Sequence, residues 1–216
     1  MNPKSCYLCG HTEGLTRDHI PPKGFFPKPL PSDLITVSCC ARCNAQCSRD
    51  DEAIRAFFSL AINRSRAGDR IWESKVLPGT VARSPAFRDF LLARTREVMV
   101  STDSGADTLP MIELPHDRVE GFLVRITKGL LRHFHSAYDY RAAQFAVRQI
   151  LPTEAEVTDL QQCLVGTSYE ERGDGVIRFR HGITDSGRGG LWLYIFYDAV
   201  WYFVVHTIPE EVPETK

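Results

Sequence analysis

The sequence carries no excess of either charge: 26 Lys and Arg face 27 Asp and Glu over 216 residues, a net charge of −1. No global basic field therefore advertises a polyanionic partner, although a local patch is enough to hold nucleic acid. Long hydrophobic runs are also missing. The most apolar stretch, "LWLYIFYDAVWYFVV" from Leu191 to Val205, carries Asp198 at its centre and falls short of the roughly 20 residues that cross a bilayer. It reads as two β-strands meeting at a tight turn, so no membrane partner is expected. The polar opening "MNPKS" has no secretory pattern, so a cytoplasmic location is expected. There is no internal repeat and no low-complexity tract. At this length the chain suits one well-packed domain or two small ones.

Cysteine is scarce over most of the chain and crowded at its start. Of seven cysteines only Cys163 lies beyond residue 47. Without a secretory signal, such clustering points to metal binding and away from a disulfide framework. Cys6-x2-Cys9 and Cys40-x2-Cys43 form two CxxC knuckles. Each knuckle offers two thiolates from one tight turn, and zinc takes four such ligands in a tetrahedron. Gly10 suits the turn after the first knuckle. Cys39 in place of Cys40, or Cys47 in place of Cys43, would break the second CxxC, which leaves Cys39 and Cys47 as spectators. A site closed by four thiolates has no position open to substrate, so this zinc is expected to be structural.

The expected fold class is α+β, a small zinc-stabilised module followed by helices and a domain with an antiparallel sheet. Three segments are expected: residues 1–65 holding the knuckles, 66–115 a helical connector, and 116–216 an α+β accessory domain of unknown role. "LTRDHI" and "LITVS" have the composition of short strands. A helix carrying Ile54, Phe57, Phe58, Ala61 and Ile62 follows, with Asp50 and Asp51 near its start. Ser84-Pro85 opens another, with Phe87, Phe90, Leu91, Arg94 and Val98 on one side; "STDSGAD" (Ser101–Asp107) reads as a loop. Asp117 and Glu120 resemble a capping box for a helix burying Val119, Phe122, Leu123, Ile126, Leu130 and Phe134. A strand "AQFAVRQI", a helix opened by Thr153 and Glu156, and strands at "GVIRFRH", "LWLYIFY" and "VWYFVVH" complete the chain.

Between the knuckles lies "TRDHIPPK", and Asn44 directly follows the second knuckle. The combination C-x2-C … D-H-I-P-P … L-I-T-V … C-x2-C-N, from about Cys6 to Glu52, resembles the HNH endonucleases, the ββα-metal or His-Me finger nucleases, in their zinc-knuckle branch. The resemblance implies metal-dependent phosphodiester hydrolysis, with DNA the favoured substrate. It makes His19 the base that activates water, with Asp18 and Asn44 holding a divalent metal, Mg²⁺ or Mn²⁺, at the scissile phosphate. The chemistry is coherent: imidazole titrates near neutrality, and carboxylate and amide oxygens suit a hard cation. Adjacent strand residues point to opposite faces, so Asp18 and His19 cannot share one task. Two departures from the pattern stand out. Asp33 occupies the place of the asparagine that orients the histidine, and Ser48 that of a frequent last histidine. Ser48 either supports the ion through water or does nothing, and the acids of "SRDDE" (Ser48–Glu52) read as a further ligand or a solvated helix start.

Arg55, Arg64, Arg66 and Arg70, with Lys23 and Lys28, offer phosphate contacts or a solvated face. His133 and His135, two apart on a helix, point to different faces and make no metal pair. Trp72, Trp192 and Trp201 read as core or interface aromatics. The C-terminal domain carries no chemical motif and could select substrate, form a homodimer or dock a protein partner. A single site cuts one strand at a time, so a double-strand break would need a dimer or two events. The rival reading is a non-catalytic zinc-knuckle module that binds nucleic acid or protein, with Asp18 and His19 as surface residues.

Overall fold

The computed structural model describes residues 5–102, 105–136, 140–150, 158–159 and 162–209. It is an α+β fold with antiparallel sheets. The N-terminal strands β1 (Leu15–Ile20) and β2 (Ile35–Cys40) form a two-stranded antiparallel sheet that pairs Asp18 with Val37 and His19 with Thr36. Alternation along β1 buries Asp18 and Ile20 and leaves Arg17 exposed, as the two-residue period of a strand requires.

Helix α1 (Ala41–Phe58) starts directly after β2, and the Cys40 sulfur accepts a bond from the Cys43 amide at its N-cap. Asp50 and Asp51, expected near the helix start, therefore sit in its middle. The knuckle's own turn is the first turn of the helix, a start signal that apolar periodicity does not reveal. Helix α2 (Arg66–Ile71) follows, capped by Ser65, and runs into a π-helical segment, Trp72–Val81. Helix α3 (Pro85–Arg94) begins as expected, with the Ser84 hydroxyl accepting from the Phe87 amide.

The connector holds more than one helix. Strands β3 (Thr95–Thr102) and β4 (Gly105–Ile112) form a hairpin of their own. Ser101, Thr102 and Gly105–Asp107, expected as loop, thus belong to strands, as does Val98. Helix α4 (His116–Phe134) buries Val119, Phe122, Leu123, Ile126 and Leu130 as its periodicity demands. Its N-cap is Pro115 with no side-chain cap, so the expected capping box does not form; Asp117 lies in the first turn, and Glu120 meets His116 at 3.4 Å.

The C-terminal strands β5 (Gln144–Ile150), β6 (Glu170–Arg172), β7 (Ile177–Ile183), β8 (Gly189–Phe196) and β9 (Val200–Thr207) make a five-stranded antiparallel sheet, ordered β5-β9-β8-β7-β6. The β8–β9 turn carries positive φ at Tyr197 and Asp198, the strained geometry of tight hairpins. The expected helix start at Thr153 and Glu156 lies outside the described residues. Among the described residues no helix is long and apolar enough to cross a membrane.

One aromatic cluster crosses the boundaries drawn at residues 65 and 115. Phe25 stacks on Phe122 of α4 at 5.2 Å, and Phe58 of α1 lies 4.9 Å from Phe196 of β8. The Tyr197 hydroxyl donates to the Phe25 carbonyl at 2.9 Å. The three segments share a core. Helix α4 also lies close over β1: a Cβ placed on Gly129 would come within 2.6 Å of the Ile20 side chain.

Candidate functional site

The four knuckle cysteines converge. The sulfurs of Cys6, Cys9, Cys40 and Cys43 all lie within 4.8 Å of one another, and Cys9 and Cys40 are 3.7 Å apart. A tetrahedral zinc with bonds of about 2.3 Å sets its sulfurs about 3.8 Å apart, so the donor set and spacing are compatible with structural zinc. The first knuckle is shaped by its backbone. Gly10 donates to the Cys6 carbonyl at 2.8 Å with φ of 79°, a conformation that favours glycine. Burial acts to raise the Cys6 thiol, yet the amides of Cys40, Cys9 and Leu8 draw it down to about 6. Cys39 is fully buried with its sulfur 3.8 Å from Cys6, while Cys47 faces the acids of α1 and Arg125.

The thiolates sit where strand and helix join. Cys6 and Cys9 precede β1, and Cys40 and Cys43 span the end of β2 and the first turn of α1. A metal there would fix α1 against the hairpin, and with it the direction of every side chain on their facing surfaces.

Asp18 and His19 take opposite faces of β1. His19 is half-buried, and its ring finds no hydrogen-bond partner among the described residues. Burial, then the nearby charges of Lys23 and Arg17, lower its pKa against the pull of Asp18. This favours the neutral imidazole, whose lone pair can accept a proton. Asp33 does not orient it: its exposed carboxylate lies 3.7 Å from Arg172 of β6. Asn44 is partly exposed and donates through Nδ2 to the Thr16 hydroxyl at 3.3 Å. Ser48 turns back to the Ala45 carbonyl at 2.9 Å.

Asp18 lies inside the protein, 5 % exposed. Its Oδ2 accepts the Tyr7 hydroxyl at 2.8 Å and meets Arg125 of α4 at 3.4 Å. The other arm of Arg125 bonds the Asp51 carboxylate of α1. Burial, with the Asp18 charge behind it, holds the Tyr7 phenol well above its ordinary pKa and keeps it a donor. Burial alone would lower Arg125; the charges of Asp51, Tyr7, Cys47 and Asp18 together outweigh it, and the guanidinium stays protonated. Sequence reading missed Tyr7 and Arg125. The one available signal was a charged residue amid the apolar face of α4, between Phe122 and Gly129.

The arginines around α1 are largely engaged. Arg64 pairs with Asp69 at 2.8 Å, Arg70 donates to the Lys28 carbonyl at 2.6 Å, and Arg55 lies 3.9 Å from Glu52. His135 meets His181 of β7 at 3.2 Å between ring nitrogens, while His133 is exposed. Trp192 is fully buried, and Trp72 and Trp201 are partly buried against the core.

No family model, no curated protein and no solved structure matches the chain.

Proposed function

We propose that the chain is an HNH-type endonuclease that hydrolyses phosphodiester bonds, with DNA as its substrate and His19 as the general base. The observation that carries this reading is the placement of His19. It stands next to the end of the first strand of a hairpin–helix unit with four cysteines at its joints, and its half-buried imidazole is held towards the neutral form. A base so placed can take the proton of a water attacking phosphorus. Arg17 shares its face of β1, and Lys23 follows the strand; both are exposed and supply positive charge for the phosphate.

The resemblance gives a divalent ion to Asp18 and Asn44. Mg²⁺ or Mn²⁺ bound there would polarise the phosphate and stabilise the leaving oxygen. Asp18 fits that role poorly, because its carboxylate is already neutralised by Arg125 and bonded by Tyr7. The same closure favours a second reading, a zinc-knuckle module that binds nucleic acid or a protein partner without cutting. Nicking of supercoiled plasmid with Mg²⁺ or Mn²⁺, against EDTA and His19→Ala, separates the two. Loss of nicking in His19→Ala with zinc retained supports the nuclease; wild-type protein that binds plasmid and never nicks it leaves the binding module.

A further inference from the structure

Two carboxylates from different elements, Asp18 of β1 and Asp51 of α1, are brought together under α4. Their side chains are 7 % and 18 % exposed, and the Arg125 side chain between them is 5 % exposed. Two buried carboxylates so close repel each other unless a cation is shared between them. Arg125 supplies it: one terminal nitrogen faces Asp18 and the other bonds Asp51, the bridging geometry a guanidinium provides and an ammonium does not. The Phe122 ring, 5.6 Å from the guanidinium, closes another side.

We infer that Arg125 is the resident cation of Asp18, standing where the resemblance would place a divalent metal, and that Asp18 ligates no metal ion while Arg125 is in place. The charge balance requires this exclusion. Two carboxylates and one guanidinium sum to −1, a modest charge that the Tyr7 hydroxyl also stabilises. Adding a divalent ion would give +1, with the ion and the guanidinium in mutual contact and little water to screen them. Tyr7 and Arg125 both meet Oδ2, so an ion on that oxygen would have to displace them. The N-terminal hairpin and α4 are thus one electrostatic unit, held by a charge that the chain carries itself.

The inference rests on the same hairpin–helix reading as the proposed hydrolysis, but its test reads metal binding and not cleavage. Mn²⁺ is titrated, with free ion followed by electron paramagnetic resonance, into zinc-loaded wild type, Asp18→Asn, Arg125→Met and the double variant Arg125→Met/Asp18→Asn. Wild type and Asp18→Asn should bind Mn²⁺ alike. Arg125→Met should gain a site about tenfold tighter or more, lost again in the double variant. An Asp18→Asn change that weakens wild-type Mn²⁺ binding about tenfold would overturn the inference, as would a folded Arg125→Met that gains no site. If Arg125→Met fails to fold, judged by zinc content and circular dichroism, the comparison of wild type with Asp18→Asn decides alone. Plasmid nicking by wild type alongside equal Mn²⁺ binding in Asp18→Asn would keep the nuclease and put its ion elsewhere. Equal binding with no nicking would keep the inference and remove the nuclease.

Discussion

The close approach of α4 to β1 makes Gly129→Ala a sharp probe of how the hairpin is held. In an open helix this change stabilises by about 1 kcal/mol, because alanine has the higher helix propensity. Here the new methyl would stand 2.6 Å from Ile20 Cδ1 and 2.7 Å from its Cγ1. Ile20 is 1 % exposed, so its side chain has no solvent to move into. Overpacking of this kind costs about 1–3 kcal/mol. The net expectation is a loss of about 1 kcal/mol, read as a fall in the urea midpoint of about 0.3–1 M. Ile20→Ala should itself cost about 2–5 kcal/mol. Combined with Gly129→Ala it should cost less than the sum by about 2 kcal/mol, because the methyl then fills space and meets no clash. A Gly129→Ala protein more stable than wild type would refute the packing argument, since only propensity would then be at work.

Elemental analysis should find about one zinc per chain, lost in Cys6→Ser along with folding of the N-terminal region and retained in Cys163→Ser; equal zinc in both variants would break the ligand set. His19→Ala should abolish plasmid nicking while zinc content and DNA binding persist, and undiminished cutting would sink the proposed chemistry. Asp18→Ala should destabilise the fold by about 3–5 kcal/mol in a denaturant titration, because it strands part of a buried charge network; a change near zero would show that the network contributes nothing. Burial holds both His181 and His206 down to about 4, below the ordinary value of about 6.5. Their contribution to stability is therefore complete above pH 6.5 and lost as pH falls towards 4, with proton uptake on unfolding in that window. Imidazole signals of these residues titrating near 6.5 in the folded protein would contradict this.

The legible parts of the molecule were those written in local spacing. The knuckles, the alternating strands of the hairpin and the apolar face of α4 are each encoded within a few turns or a few residues. The β3–β4 hairpin was not legible, because Ser101, Asp103 and Gly105 read as loop and the strands' pairing is with each other, not with a patterned core. The start of α1 was hidden because a cysteine caps it and polar residues fill its first turns. At the candidate site, the opposite faces of Asp18 and His19 followed from strand geometry alone. That Asp18 would be met by Arg125 could not follow: nothing near either residue encodes a partner 107 positions away.

That separation also bears on how the chain is made. Synthesis proceeds at about 5–20 residues per second, so Asp18 is joined to the chain about 5–20 s before Arg125. Through that interval the hairpin and α1 can assemble with their thiolates, but their two facing carboxylates have only water or a passing ion to neutralise them. In the folded protein α4 supplies Arg125 to those carboxylates and lays Gly129 against Ile20. A ribosome-bound nascent chain halted before residue 125 should therefore leave Asp18 open to divalent cations.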